Sequence, residues 1–263
     1  MVAPSQIIPR YRLTTPSNTQ GGVFDNSSDN RSDGNGALHG SAASDGRIYV
    51  DNILDEALAT FREHYHDSSI VKDDIFRYVY GILHHPGYRE KYKNDLFKEL
   101  PRIPFAPDFW AFSEAGEQLA YIHANYDQLE GWEGKMKVEY SDDFDPDNRE
   151  HWRIEKMRWA DDNKTLKLND HITLRNIPAG AHTYKIADNS PIQEFAKQII
   201  RKEYEDSGIV NDRNDLFNHN PPEVLLRARQ LIEVGVKTSE ILAKLPETFE
   251  TIEESRLHNK KVS

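Results

Sequence analysis

Residues 73–105, DDIFRYVYGILHHPGYREKYKNDLFKELPRIPF, decide the fold class. Ile75, Phe76, Val79, Tyr80 and Leu83 recur at three- and four-residue steps, which places them on one stripe of a helix facing a core. Asp73 and Asp74 suit the positive end of that helix, and Ile70 is positioned to staple onto Ile75. Pro86 ends the first helix. Tyr88, Tyr92 and Leu96 restart the spacing, and Pro101 and Pro104 force an extended exit because each proline pushes its predecessor out of the helical region.

The helical signal extends to both sides. Asp55 to Tyr65 reads as a short helix, and Asp108 as the cap of another whose Phe109, Phe112, Gly116, Leu119, His123 and Tyr126 share a face. Core packing explains these aromatics without a cofactor. Upstream, Ile7 to Leu13 suits an edge strand, since Pro9 excludes a central one. From Pro16 to Gly46 the composition turns to Ser, Asn, Asp and Gly, which predicts a mobile polar loop. Ile7-Ile8-Pro9-Arg10-Tyr11-Arg12 close to the start, followed by such a loop, reads as a cut through a longer protein.

Beyond Trp132 the period changes. Lys135 to Tyr140, His151 to Ala160, Thr165 to Asn169, Ile172 to Ile177 and His182 to Ile186 are β-prone runs between polar turns, as in a small antiparallel sheet. Ser190-Pro191-Ile192-Gln193 is a capping box with proline at the first helical position, opening a helix with Ile192, Phe195, Ala196, Ile199 and Ile200 on one face and Gly208 as its stop. Asn220 to Glu223 reads as a second start, with Asn220 as cap of a long helix reaching Leu245 before Pro246.

The expectation is an α+β protein in which a helical N-terminal half packs on a small antiparallel sheet that carries two C-terminal helices. Its segments are 1–16 as edge strand or truncated start, 17–50 as polar loop, 51–130 as helical region and 131–263 as sheet plus helices. Residues 51–263 form one composite domain in this reading.

The 263 residues carry 33 Lys+Arg against 44 Asp+Glu, a net charge of -11. The acid is uneven: residues 51–130 hold 8 cations and 15 anions, or -7, while residues 131–190 hold 10 and 12, or -2. The overall field does not steer such a chain to nucleic acid, so a nucleic-acid face has to be a local basic patch. With no cysteine there is neither a disulfide framework nor a thiolate zinc site. No run approaches the ~18 apolar residues of a membrane span. Cytoplasmic placement is expected.

Four short motifs invite chemistry and have blander explanations. Asn220-Pro221-Pro222-Glu223 is similar to the Asn-Pro-Pro-aromatic motif of N6-adenine methyltransferases, but Glu223 offers no face for a flipped base, and the four residues suit a helix start. Asp143, Asp145 and Asp147 alternate like half a calcium loop, yet Asn148 and Ile154 replace the required Gly and Glu. His64 with His66, and His84 with His85, lack further ligands at zinc spacing, which favours surface or capping roles. Asp108 with Glu133-Gly134-Lys135 mimics a magnesium nuclease, while Asp108 suits a cap better. No phosphate loop, nucleophile elbow or dinucleotide turn occurs, so neither catalytic residues nor cofactors are expected in this chain.

The cations of the sheet are the functional lead. Alternation sets Lys156 and Arg158 on one strand face, Lys167 and Asn169 opposite Leu166 and Leu168, and Arg175 opposite Ile172 and Leu174. Lys, Arg and Asn are the side chains that reach phosphate, guanine and adenine edges. Lys135, Lys137, Arg153, Lys156, Arg158, Asn163, Lys164, Lys167, Asn169 and Arg175 are therefore the candidate DNA contacts, with turn formation as the alternative for the two asparagines. A solvated polar face explains the same alternation.

Tyr78-x-Tyr80-Gly81-x-Leu83, Tyr88-Arg89-x-x-Tyr92 and Pro101-Arg102-Ile103-Pro104 resemble a signature in the C-terminal specificity region of type ISP restriction-modification enzymes, long bacterial polypeptides of helicase type. Asn169-x-x-Ile172-x-Leu174-x-x-Ile177-Pro178, Tyr184-Lys185-Ile186 and Glu205-Asp206-Ser207-Gly208-Ile209-Val210-Asn211-Asp212 resemble its later segments in the same order. Phe195 stands where the family commonly has Trp, Glu205 where it has Asp followed by Lys, and Arg213 where it has Pro. The resemblance implies sequence-specific recognition of double-stranded DNA, with nuclease, translocase or helicase, and adenine methyltransferase domains upstream in the same polypeptide as partners. The other expectation is a coupling or protein-interaction domain of the same enzyme that reads no DNA.

Overall fold

The computed structural model describes residues 9–14, 38–42, 48–96, 98, 100–185, 188–204, 207–246 and 249. They are α+β, as the sequence predicts, and divide into two compact units. The first draws on residues 1–83, 101–116 and 250–263; the second on 84–100 and 117–249.

In the first unit, β1 (Tyr11–Thr14), β3 (Ile48–Asp51) and β2 (Leu38–Ala42) form an antiparallel sheet in that order, so β1 is the edge strand that Pro9 requires. Strand β2 corrects the reading of residues 16–46 as loop throughout; the remainder of that stretch lies outside the described residues. Asp51 is 2 % exposed and sits between the Arg10 guanidinium and the Lys72 ammonium, whose nitrogen is 2.7 Å from Asp55. Two cations beside one buried carboxylate offset its desolvation.

Helix α1 (Asp55–Tyr65) has the expected limits and ends on His66 in the left-handed region, φ 55°. Helix α2 (Lys72–His84) buries Ile75, Tyr78, Gly81 and Ile82. That line is rotated from the stripe of Phe76, Val79, Tyr80 and Leu83, which are half-buried. Tyr78 goes inside because its hydroxyl is fully used there. It donates to the Pro104 carbonyl at 2.8 Å and accepts from the Ala106 amide at 2.7 Å, while Tyr65 donates to the Ala106 carbonyl at 2.8 Å. Side chains thereby satisfy the extended exit that Pro101 and Pro104 impose. Phe61, Tyr65, Tyr78, Phe105 and Phe109 pack together, with Tyr78 stacked on Phe109 at 5.0 Å. His64 stacks on Phe105 at 3.8 Å, a packing role.

Asp108 caps α5 (Phe109–Ala124), accepting the Ala111 amide at 2.9 Å. Where α5 meets α2 only glycine fits, at Gly81 and at Gly116: a Cβ on Gly116 would lie 1.8 Å from the Arg77 carbonyl oxygen.

The second unit opens with α3 (Pro86–Lys91) and α4 (Lys93–Leu96). His85 caps α3 with Nδ1 accepting the Tyr88 amide at 3.3 Å and, at 1 % exposure, donates from Nε2 to the Pro246 carbonyl at 2.7 Å. Burial holds it below the ordinary histidine range, in agreement with this neutral tautomer. Four antiparallel strands follow, β4 (Lys137–Tyr140), β5 (Arg158–Trp159), β6 (Leu166–Lys167) and β7 (Ile172–Arg175), in the order β4-β7-β6-β5. Their inner side packs Leu166, Ile172 and Leu174 in one core with Ile192 and Ile199 of α7 (Pro191–Ile199) and with Val224, Ala228, Ile232 and Val236 of α8 (Glu223–Leu242).

Several expected elements are corrected here. His151 to Ala160 is strand only at β5: a 3-10 turn at Arg149–Trp152 and irregular chain precede it, because the Asn214 side chain accepts from the Ile154 amide at 2.8 Å and donates to its carbonyl at 3.2 Å, replacing a ladder partner. In the expected strand His182 to Ile186 the described residues 182–185 are not extended in a sheet: α6 (Gly180–Thr183) occupies the start, fitted to α8 so closely that a Cβ on Gly235 would lie 3.0 Å from the Ala181 Cα, and Ile186 lies outside the described residues. The capping box holds, with the Ser190 amide donating to Gln193 at 2.8 Å, but α7 ends at Ile199 rather than near Gly208. Gly208 lies instead between β8 (Lys202–Tyr204) and β9 (Ile209–Asn211). The start of α8 uses the Asn220 backbone carbonyl, which accepts the Glu223 amide at 3.0 Å, and not an Asn220 side-chain cap.

His123 donates to or accepts from the buried Thr238 hydroxyl at 2.9 Å and stacks on Tyr184 at 5.3 Å, with His84 at 5.2 Å. Burial, then the neighbouring His84, lowers its pKa to about 4. Between that value and the ~6.5 of an unfolded histidine the unfolded chain binds more protons, so stability rises with pH across this window and is lost on acidification. His123→Asn is expected to remove up to about 3 kcal/mol of the loss between pH 7 and pH 4, read by urea unfolding at both pH values. An unchanged pH dependence refutes it.

Candidate nucleic-acid interface

The register of the four strands sorts their side chains into two faces. Val138, Leu174, Leu166 and Trp159 are successive cross-strand partners, and they form an inner row. One residue along, Glu139, Thr173, Lys167 and Arg158 form an outer row, and Lys137 lies opposite Arg175 in a second. With strands ~4.8 Å apart, the first outer row is about 14 Å long, close to the width of a major groove.

The sheet therefore brings together Lys137, Arg158, Lys167 and Arg175. Arg175 Nε meets Glu139 at 2.5 Å and Lys167 Nζ meets Asp170 at 3.0 Å. Lys167 holds the Asp170 carboxyl below its usual range. Among the described residues neither Lys137 nor Arg158 has an ion-pair partner within 4.0 Å, though the Arg158 charge also acts on Asp170. Four cations less Glu139, Asp170 and Asp162, whose charge also acts on Arg175, leave the face at +1, on a chain of -11. Exposed pairs of this kind are weak, so phosphate oxygens exchange with them at little cost.

The other candidates are placed differently. Lys156 is exposed but precedes β5, so it does not share a strand face with Arg158. Lys135 is exposed in the turn before β4. Asn163 is left-handed, φ 51°, and with Lys164 forms an exposed turn whose Lys164 and Thr165 amides donate to Asp162 at 2.8 and 2.9 Å. Arg153 is turned away from the sheet face: it pairs with Asp212, with Asp215 at 3.3 Å and with Glu150 at 3.4 Å. Asn169 is 8 % exposed and holds the turn between β6 and β7, accepting from the His171 and Ile172 amides at 2.8 and 2.7 Å. It donates to the His151 and Arg153 carbonyls, each at 2.9 Å. Sequence reasoning missed Glu139 and Thr173, although the alternation of KVEY and ITLR places both on the cationic face.

The acidic motifs have structural partners. Asp143 accepts from the Ser141 hydroxyl at 2.6 Å, Asp145 accepts the Asp147 amide at 2.9 Å, and Glu133 pairs with Arg229 at 2.8 Å. No helix among the described residues is long and apolar enough to cross a membrane.

The chain is similar to known proteins. Residues 2–228 match the family described as the type ISP C-terminal specificity domain. A nuclease-deletion mutant of the type ISP restriction-modification enzyme LlaGI, in complex with a DNA substrate mimic, is 38% identical at a TM-score of 0.58 over 69% of this chain. The ATP-dependent type ISP enzyme LlaBIII bound to DNA is 27% identical at 0.65 over 82%, and a DrdV–DNA complex is 30% identical at 0.63 over 79%. This chain spans 14%, 13% and 21% of those three proteins respectively. No curated protein matches it. A match over most of the sequence, with these structural relatives, makes the chain a member of the type ISP C-terminal specificity domain family.

Proposed function

We propose that this chain reads duplex DNA for a larger restriction-modification enzyme, using the outer face of its four-stranded sheet. The observation that carries the reading is the alignment of Lys137, Arg158, Lys167 and Arg175 on one face about as wide as a major groove. The DNA-bound state of the three relatives supports it. Lys137 and Arg158 supply phosphate or guanine contacts, Lys167 and Arg175 follow once their exposed acids yield, and Lys135, Lys156, Asn163 and Lys164 flank the face. Chemistry belongs to domains outside this chain: the nuclease, the ATP-driven translocase and the adenine methyltransferase, which are its partners in the same polypeptide.

Exchange of this segment between two related enzymes tests the role. The methylated sequence is expected to follow the segment. If it stays with the recipient and only assembly suffers, the segment couples domains and does not read. For the face itself, Lys137→Ala with Arg158→Ala should flatten the slope of log affinity against log salt by about 1.8, near 0.9 per phosphate contact. Glu139→Gln should act in the opposite direction by releasing Arg175. Unchanged slopes in both variants remove the assignment.

A further inference from the structure

The hairpin of β8 and β9 is the part of the second unit that its core does not explain. Among the described side chains of the ribbon Lys202, Glu203, Ile209, Val210 and Asn211 are all exposed, Ile209 at 61 % and Val210 at 46 %, and they represent both faces. A lone two-stranded hairpin is marginal in water. This one is nevertheless fixed at its base. Asn214 is 5 % exposed and donates to the Asp212 carboxylate at 3.1 Å and the Ile199 carbonyl at 3.4 Å. Arg153 pairs with Asp212, and Arg213 donates to Gln198 at 2.9 Å. The chain thus anchors both ends of a ribbon whose blade it leaves bare. Gly208 is left-handed, φ 65°, with nothing within 4 Å of the position a Cβ would take, so the backbone beside it is open to close approach.

The register decides what the blade presents. Lys202 lies opposite Asn211, and Ile209 is two residues from Asn211 along β9, so all three share one face; Glu203 and Val210 share the other. Lysine pairs with guanine O6 and N7, asparagine with adenine N6 and N7, and an apolar side chain with the thymine methyl group. A two-stranded ribbon fits the major groove.

We propose that this ribbon is a second reading element, entering the major groove with Lys202, Asn211 and Ile209 toward the base edges. The proposal rests on the DNA-reading role assigned above. Arg153, expected from sequence as a DNA contact, acts here as a positioning residue through Asp212. The ribbon discriminates without adding attraction: residues 201–213 carry Arg201, Lys202 and Arg213 against Glu203, Glu205, Asp206 and Asp212, or -1. Of these acids, Glu203 pairs with Arg201 at 3.1 Å and Asp212 with Arg153.

Binding-site selection from a pool of random duplex DNA, using the intact polypeptide that carries this chain, tests the proposal. Asn211→Ala, Lys202→Ala and Ile209→Ala are each expected to relax the selected sequence at one or two positions, lowering discrimination there roughly tenfold. The melting temperature should stay as it is, because all three side chains are exposed. The proposal is overturned if all three variants select the original sequence, whether or not they disturb association with the rest of the polypeptide. A parent protein that selects no sequence overturns the DNA-reading role as well. An original sequence kept by the ribbon variants but relaxed by Arg158→Ala overturns the ribbon alone.

Discussion

Gly116→Ala is expected to destabilise the protein by an amount at or above the top of the roughly 1–3 kcal/mol range for overpacked cores. Helix propensity alone has the opposite sign, since alanine in a helix interior is favoured over glycine by about 1 kcal/mol. Geometry decides between them. The new Cβ would lie 1.8 Å from the Arg77 carbonyl oxygen, 2.7 Å from its carbon and 2.9 Å from the Gly81 nitrogen. These are backbone atoms, which have no rotamer to escape into, so α2 and α5 must separate.

Gly81→Ala meets the Phe112 carbonyl oxygen at 2.3 Å, on the same crossing. The two substitutions are therefore expected to be strongly non-additive, the second adding little once the first has parted the helices. Gly208→Ala, with no neighbour within 4 Å, isolates the conformational term of a left-handed residue, about 1 kcal/mol. Urea midpoints of the three single variants and the double variant check all of this. A stabilised Gly116→Ala protein would show that the helices do not approach as described.

Elements governed by local rules were legible in the sequence. The limits of α1, the Asp108 cap, the Ser190-Pro191 start of α7 and the outward alternation of Lys167 and Arg175 each follow from residues within a few positions of one another. What escaped depends on partners far along the chain. The backbone at Ile154 pairs with the side chain of Asn214, sixty residues on, which removes Lys156 from the strand that alternation suggests. The α6 turn follows from two glycines, Gly180 and Gly235, that let it and α8 approach from well-separated stretches. The line on α2 is rotated because a tyrosine hydroxyl found partners at Pro104 and Ala106, and hydropathy alone does not register that. Strand β2 carries only Leu38 and Ala42 as apolar residues in LHGSA, within a stretch whose composition reads as loop.

Asn169 separates two roles that sequence left open, adenine contact and turn former, and they make opposite forecasts. Its amide has two donors and two acceptor positions, and all four are occupied inside the chain. Asn169→Ala leaves two amides and two carbonyls without partners at a site 8 % exposed, a loss of about 2–4 kcal/mol after partial rehydration. The melting temperature should fall by roughly 5–15 °C. Asn169→Asp keeps both acceptors but turns a carboxylate toward the His151 and Arg153 carbonyls, so at neutral pH it should cost at least as much as alanine. Part of that cost should return on acidification, when the protonated acid can donate to one of the two carbonyls. The turn also sets the pairing of Lys167 with Thr173, which carries the outer row of the sheet. Measured below the melting transition, DNA affinity of Asn169→Ala should therefore fall less than that of Arg158→Ala, while the order of the two stabilities is reversed. If Asn169→Ala melts like the parent and loses affinity selectively at adenine positions, the asparagine reads bases and the turn is held by something else.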